Sequence, residues 1–267
     1  MNAQPHDIAA VESLLAFWRD AGVDACYGEA PVDHTHIAPP PAVKAVQRAT
    51  ASVVTPLSGA VGADALAEAR HLAAGAATLQ DLAAAVAAFE GCPLRGMGAT
   101  QSVFGRGNPN APVLVIGEGP GADEDRIGQP FVGKAGKNLD EFLALSGFKR
   151  EELYITNAVK FRPTKVSAAG RTVNRTPTRE EVQLFLPWLK REIAAIKPEC
   201  IVTLGNTALS ALCGKAVIGQ VHGRFLEADG RAVYPIYHPA SLIYNRALAE
   251  TYREDLRRLA RWREEAR

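Results

Sequence analysis

Residues 113–131 read Val-Leu-Val-Ile-Gly-Glu-Gly-Pro-Gly-Ala-Asp-Glu-Asp-Arg-Ile-Gly-Gln-Pro-Phe. The apolar run Val113–Ile116 predicts a buried strand that ends at Gly117. It runs into a glycine-rich turn carrying Glu118, Asp123, Glu124 and Asp125, and then presents Phe131. Glycines such as Gly117 and Gly119 let backbone N–H groups approach a ligand closely. Carboxylates orient water or stabilise a cation, and an aromatic face stacks on a flat ring. The combination points to hydrolytic chemistry on a planar heterocycle.

Outward from this stretch, strands and helices alternate. Strands are predicted over 113–117, 153–159, 200–204 and 232–237, and helices over 134–146, 178–196, 206–213 and 247–265. Thr178-Arg179-Glu180-Glu181 is a capping box for the second of these helices. Strands separated by helices imply an α/β fold: a central parallel sheet flanked by helices on both faces. Ligands of such folds sit beyond the C-terminal ends of the strands, here the turns after 117, 157 and 237. The turn after the second strand follows Tyr154-Ile155-Thr156-Asn157, and that after the last contains His238-Pro239-Ala240-Ser241. An Asn side chain offers a donor and an acceptor side by side and can read one base edge. Taken singly, Asn157 reads as a turn residue, His238 as a structural histidine and Phe131 as core. Taken together with the acidic turn, they fall on one predicted rim.

Two further stretches bear on ligands. Gly128 to Ala135 nearly matches the phosphate-loop pattern G-x-x-x-x-G-K-[ST], but Ala135 stands where the hydroxyl residue would be, and no strand precedes it. Nucleotide hydrolysis is therefore disfavoured, with Lys134 kept as a phosphate contact. Lys160 to Thr178 carries Lys160, Arg162, Lys165, Arg171 and Arg175 and no acid. It is expected to be a mobile basic loop that touches phosphates.

Ahead of the alternating region, Ile8, Val11, Leu15 and Trp18 predict an amphipathic helix over 7–21. Residues 31–62, with Pro39-Pro40-Pro41, read as a linker. Thr78-Leu79-Gln80-Asp81 starts a helix over 79–90. The expected organisation is an N-terminal helical extension with a Pro/Ala-rich linker over 1–75, then one catalytic domain over 76–267. The 267 residues, 47% hydrophobic, are enough for this.

The formal charge of +1 hides an asymmetry. Residues 1–92 hold 4 Lys/Arg and 10 Asp/Glu, net −6, and the remainder holds 26 and 19, net +7. A basic C-terminal part suits a polyanion. Cys26, Cys92, Cys200 and Cys213 form no C-x-x-C pair, which argues against a zinc ribbon and for reduced thiols. No apolar run approaches the ~18 residues of a membrane span, and the start shows no secretory pattern. A cytoplasmic protein is expected.

These motifs resemble the uracil-DNA glycosylase superfamily, closest to its iron–sulfur family 4. The resemblance rests on Gly117–Asp125, Pro130–Gly136, Tyr154–Asn157 and His238–Ser241, with Asn108-Pro109 and Val202-Thr203-Leu204-Gly205 in support. It covers about 90–266. It implies a three-layer α/β/α fold and a monofunctional enzyme that hydrolyses the N-glycosidic bond of uracil in DNA, single- or double-stranded, leaving an abasic site. It also implies roles. Phe131 stacks on the flipped uracil, Asn157 pairs with N3–H and O4, and His238 faces O2. Glu118, Glu124 and Asp125 are the acids that position water and stabilise the sugar cation. Ser241, Leu242, Ile243, Tyr244 and Arg246 belong to the segment that fills the hole left in the duplex.

Two departures stand out. The family places Ser directly after His-Pro, where this chain has Ala240. The family also holds a four-iron cluster on four cysteines, whose matching positions here are Phe89, Cys92, Phe161 and Phe185. A cluster-free branch without metal is expected, with the phenylalanines filling the lost volume. A monomer is expected. The alternatives are a catalytically weak protein that binds uracil or abasic DNA, and a nucleotide-hydrolysing α/β enzyme.

Overall fold

The computed structural model describes residues 62–145 and 147–265. The helix expected over 7–21 lies outside the described residues, as does the linker up to residue 61.

In chain order the elements are α1 (Ala63–Gly75), α2 (Leu79–Ala88), α3 (Pro93–Gly96), β1 (Arg106–Gly107), β2 (Val113–Gly117), α4 (Ala122–Ile127) and α5 (Lys134–Leu145). Then come β3 (Tyr154–Asn157), the hairpin β4 (Thr164–Val166) and β5 (Thr172–Asn174), α6 (Arg179–Ile196), β6 (Cys200–Leu204) and α7 (Gly205–Cys213). The chain continues through α8 (Ile218–Val221), β7 (Leu226–Ala228), β8 (Arg231–Ile236), α9 (Ser241–Tyr244) and α10 (Leu248–Glu265). The Thr78 hydroxyl accepts from Asp81 N and starts α2, and the Thr178 hydroxyl accepts from Glu181 N and starts α6, so both predicted capping boxes are present.

The main sheet runs β1-β3-β2-β6-β8-β7. The four inner strands are parallel; β1 and β7 add short antiparallel edges that the sequence reading lacked. Alternate residues of each strand serve opposite faces. Val113, Val115 and Val202 pack with Leu139 and Leu143 of α5 and Leu256 of α10. Leu114, Ile116 and Ile201 pack on the other side with Leu189 and Ile193 of α6 and Ala208 of α7. This is the three-layer α/β/α arrangement.

After β2 the chain crosses one way to β3, and β6 and β8 extend the sheet the other way. The C-terminal ends of β2 and β6 therefore flank a topological switch point, where open α/β sheets bind ligands.

A third cluster joins α1, α2 and α3 to α6 through Ala69, Leu82, Phe89, Cys92, Phe161, Phe185 and Trp188, all buried. The Phe161 and Phe185 centroids are 6.0 Å apart, Phe185 and Trp188 5.7 Å, and Phe89 and Trp188 4.8 Å. Arg95 lies over the Phe161 ring at 4.6 Å and donates to Phe89 O at 3.0 Å. The three phenylalanines thus sit in one apolar plug with Cys92, as expected from the sequence. Among the described residues no helix is long and apolar enough to cross a membrane.

Candidate active site

A cavity of about 550 Å³ opens at the switch point. Its lining includes Glu118, Gly119, Glu124, Phe131, Lys134, Asn157, Arg175 and His238, residues the sequence analysis singled out. Ala240, from the turn expected on this rim, also lines it, and Pro163 and Asn174 join unforeseen. Gly117 sits behind this wall at the end of β2. A Cβ there would collide with the Phe131 ring and with Asn157 Oδ1. Glycine at 117 is what lets the ring and the amide converge on one slot.

The acidic turn divides its labour. Glu124 Oε1 accepts from Val132 N at 3.0 Å and Gly133 N at 2.9 Å, while Oε2 accepts from Gly121 N at 3.1 Å. This carboxylate ties the glycine turn to the loop that presents Phe131. Phe131 itself holds a left-handed backbone, φ 55°, and Arg150 donates to Pro130 O at 2.9 Å beside it. Asp125 is buried and accepts from Thr100 N at 2.9 Å and Gln101 N at 3.3 Å. It faces that segment and not the cavity, so its expected place among the acids at the reaction centre is corrected to a backbone anchor. Of Glu118, Glu124 and Asp125, Glu118 is the one whose carboxylate takes a side-chain donor in place of backbone N–H groups. Its Oε2 accepts from Thr207 Oγ1 at 2.6 Å, in the first turn of α7. Burial pushes its carboxyl pKa up, and the Thr207 bond opposes that rise.

His238 follows β8. Ala240 N donates to its Nδ1 at 3.2 Å. Nδ1 is then the acceptor, and a neutral ring carries its proton on Nε2. Burial pulls the imidazole pKa down to about 4, with Glu124 opposing. The ring is therefore uncharged at neutral pH. It stands 6.0 Å from the Phe131 ring, centroid to centroid, tilted by 31°. Asn157 is 2% exposed, and its Oδ1 has no hydrogen-bond partner. A buried carbonyl oxygen without a donor costs about 1–3 kcal/mol, so this atom is set for an N–H that comes from outside.

Several DNA-side expectations change. Lys160 is fully buried: its ammonium bonds Thr156 Oγ1 at 2.7 Å, Asn157 O at 2.9 Å and Glu192 of α6. It cannot reach a phosphate. Arg175 lines the cavity, but both its Nη atoms bind the buried Glu181 carboxylate and its Nε donates to Thr164 O at 2.9 Å. Its charge is matched inside the protein. The stretch expected to be a loop around these residues folds as a hairpin, β4 paired with β5, with Lys165 and Arg171 exposed. Arg162 Nε donates to Asn174 Oδ1 at 2.7 Å.

In the last turn, Ser241 donates its hydroxyl to His238 O at 2.6 Å, which closes the turn on itself. Ser241 therefore serves His238, and Ala240 supplies the backbone donor. Leu242 is 8% exposed and packs in the core beside Phe131 and Tyr252, so it does not project as a wedge. Arg246 is exposed.

The sequence reading missed Asn174 and Thr207. A polar residue two positions into a helix that starts at a predicted strand end was the available signal for Thr207. No comparable signal marked Asn174, whose hairpin was not foreseen.

Residues that fit an iron–sulfur cluster are lacking where the family places them. Phe89, Phe161 and Phe185 have no ligand atom, which leaves Cys92 as the one thiol at those four positions, where four ligands are needed; burial lifts that thiol to about 11. Among the described residues no group of three or more His, Cys, Asp or Glu is placed to hold a metal ion.

Comparison with known proteins agrees with this geometry. The profile of the Uracil DNA glycosylase superfamily matches residues 104–261. A Type-4 uracil-DNA glycosylase of Thermotoga maritima is 43% identical over 159 residues, covering 58% of this chain and 78% of that protein. The Type-4 enzyme of Archaeoglobus fulgidus is 40% identical over 169 residues, 60% of this chain and 81% of its own length. A Type-5 uracil-DNA glycosylase of Pyrobaculum aerophilum is 36% identical over 174 residues, 58% and 73% respectively. The profile spans more than half of the chain and runs through every strand end that shapes the cavity, and on that ground this chain belongs to the uracil DNA glycosylase superfamily.

Proposed function

We propose that this chain is a monofunctional uracil-DNA glycosylase of base excision repair, which hydrolyses the bond between uracil and deoxyribose and leaves an abasic site. The observation that carries this reading is the partnerless Asn157 Oδ1, buried beside Phe131 and His238. Uracil brings an N–H at N3 to that oxygen and a carbonyl at O4 to the neighbouring amide N–H. Cytosine presents an acceptor and a donor at the same places, so an Asn in this orientation rejects it.

The target bond lies inside the stack, so the nucleotide must be turned out into the cavity. Phe131 then stacks on the ring. Bond breaking leaves a cationic sugar and an anionic base. His238 Nε2–H donates to O2 as negative charge gathers there, and as a neutral donor it does so without giving up its proton. Water attacks C1′, and Glu118 takes a proton from it. The C1′–N1 bond breaks first, its electron pair staying on the uracil anion; the C1′–O bond then forms at the sugar cation, and the anion departs to be protonated. Glu124 holds the Phe131 loop and sets a negative field near the sugar.

On this reading Lys134, Arg162, Lys165, Arg171 and Arg246 meet phosphates of single- or double-stranded DNA. The protein acts as a monomer in the cytoplasm, and without a metal or an iron–sulfur cluster. A uracil-containing oligonucleotide, incubated with the protein in EDTA and then treated with alkali, should be cut at the uracil. An intact oligonucleotide, or a need for Mg²⁺ or ATP, would refute the proposal.

A further inference from the structure

The hairpin of β4 and β5 does more than close one side of the cavity. Its stem is a wall of the cavity, through Pro163, Asn174 and Arg175. Its pairs are Thr164 with Asn174, Lys165 with Val173, and Val166 with Thr172. Alternate residues of a strand point to opposite faces, and paired residues share one. Val166 therefore stands on the face that carries Asn174 and Thr164, about 7 Å beyond Asn174 at ~3.3 Å per residue, while Lys165 is on the other face. It is 72% exposed, a large apolar side chain in a tip that otherwise offers small or cationic residues.

Two bonds tie the base of the hairpin to the domain: Thr164 Oγ1 bonds Met97 O, and Arg175 clamps Glu181 on α6. Within the hairpin, Arg175 N donates to Pro163 O at 3.1 Å and Arg162 holds Asn174. The tip is closed by Ser167 N to Arg171 O at 2.8 Å and Gly170 N to Ser167 O at 2.9 Å, with Gly170 at φ 71°. An isolated two-stranded hairpin is marginal in water. This one is fastened at its base and closed by its own bonds at the tip.

Charge names the partner. No acid occurs from Lys160 to Thr178. With Lys160 and Arg175 neutralised internally, Lys165 and Arg171 are left exposed at the tip. Cations flanking an exposed apolar residue, continuous with a pocket for an everted nucleotide, match duplex DNA. We propose that the β4–β5 hairpin is a duplex-probing finger: Val166 packs against the base step beside the everted nucleotide, and Lys165 and Arg171 hold the flanking phosphates. The proposal rests on the glycosylase reading above.

The test compares excision by the full chain from a single-stranded uracil oligonucleotide and from the same sequence in a U·G duplex. Val166→Asp should slow duplex excision about tenfold and leave single-stranded excision within about twofold. Val166→Ile should act as the parent protein does. A 2-aminopurine placed next to the uracil should brighten when the parent protein binds and should stay dim with Val166→Asp. Equal loss on both substrates, or unchanged duplex excision, would overturn the finger. Failure of the parent protein to cut uracil from either substrate would instead overturn the glycosylase reading.

Discussion

The buried pair Lys160–Glu192 allows a quantitative test of how the strand carrying Asn157 is held. Both side chains are wholly inaccessible. Glu192 accepts from Tyr154 OH at 3.2 Å and Thr156 Oγ1 at 3.1 Å, and Lys160 caps Asn157 O. Glu192→Leu leaves an ammonium in the interior with no counter-charge. Lys160→Met leaves a carboxylate in the same position. Either single change should cost about 3–5 kcal/mol, the scale for stranding one member of a buried pair. Folds of this kind have roughly 5–15 kcal/mol in total, so each single change should remove a large share of it. With a urea slope of about 2 kcal/mol per molar, the unfolding midpoint falls by roughly 2 M. The double variant removes both charges and should recover most of that loss, because an apolar pair of similar volume is often neutral. Urea unfolding followed by circular dichroism of the four proteins closes the cycle. Singles within about 1 kcal/mol of the parent, or a double variant as unstable as the sum of the singles, would refute the reasoning.

The remaining predictions concern the cavity and the plug. His238→Ala and Asn157→Ala should each slow uracil excision by roughly 10²–10³, the loss of one preorganised donor, with little effect on binding undamaged DNA; near-parental rates would remove their roles. Because burial holds the His238 pKa at about 4, the ring stays neutral through its usual titration range, and excision should show no step near pH 6.5; a step there would show a charged imidazole. Thr207→Val should lower the rate about tenfold and move the acidic limb of the pH–rate profile upward. The Thr207 bond lowers the Glu118 pKa against burial, so its loss lets the carboxylate take its proton at higher pH; Thr207→Ser should restore both. Phe161→Ala should cost roughly 3–5 kcal/mol in urea unfolding, as expected for a fully buried ring, and a loss below about 1 kcal/mol would show that the plug is not a cohesive unit.

The sheet and the rim of the cavity were legible because their signals are local. Val113–Ile116 can only be a buried strand, and Gly117, Asn157 and His238 each follow such a run. Exposure of single charges was not legible. Lys160 reads the same as Lys165 in the chain, and what separates them is Glu192, 32 residues away on α6. The hairpin escaped because three-residue strands carry too little alternation to stand out from a polar loop. The split between Glu118, Glu124 and Asp125 also lay beyond the sequence. It depends on which backbone N–H groups point at each carboxylate, and those come from Thr100, Gln101, Val132 and Gly133. Helix α1 was hidden in an alanine-rich stretch whose buried stripe is made of Ala69 and Ala73, residues with little hydrophobic contrast.

Phe131 carries one more consequence. An aromatic residue at φ 55° sits in a backbone region that costs an L side chain about 1–2 kcal/mol and costs glycine nothing. The ring outweighs that strain: Phe131 is 6% exposed and belongs to the core cluster that holds Leu204, Leu242 and Tyr252, and losing a buried ring costs about 3–5 kcal/mol. Phe131→Gly would therefore relax the backbone and still lower the melting temperature. The same packing that forces the unusual backbone also fixes the wall of the cavity beside Asn157 and His238, so neither can be relaxed without the other.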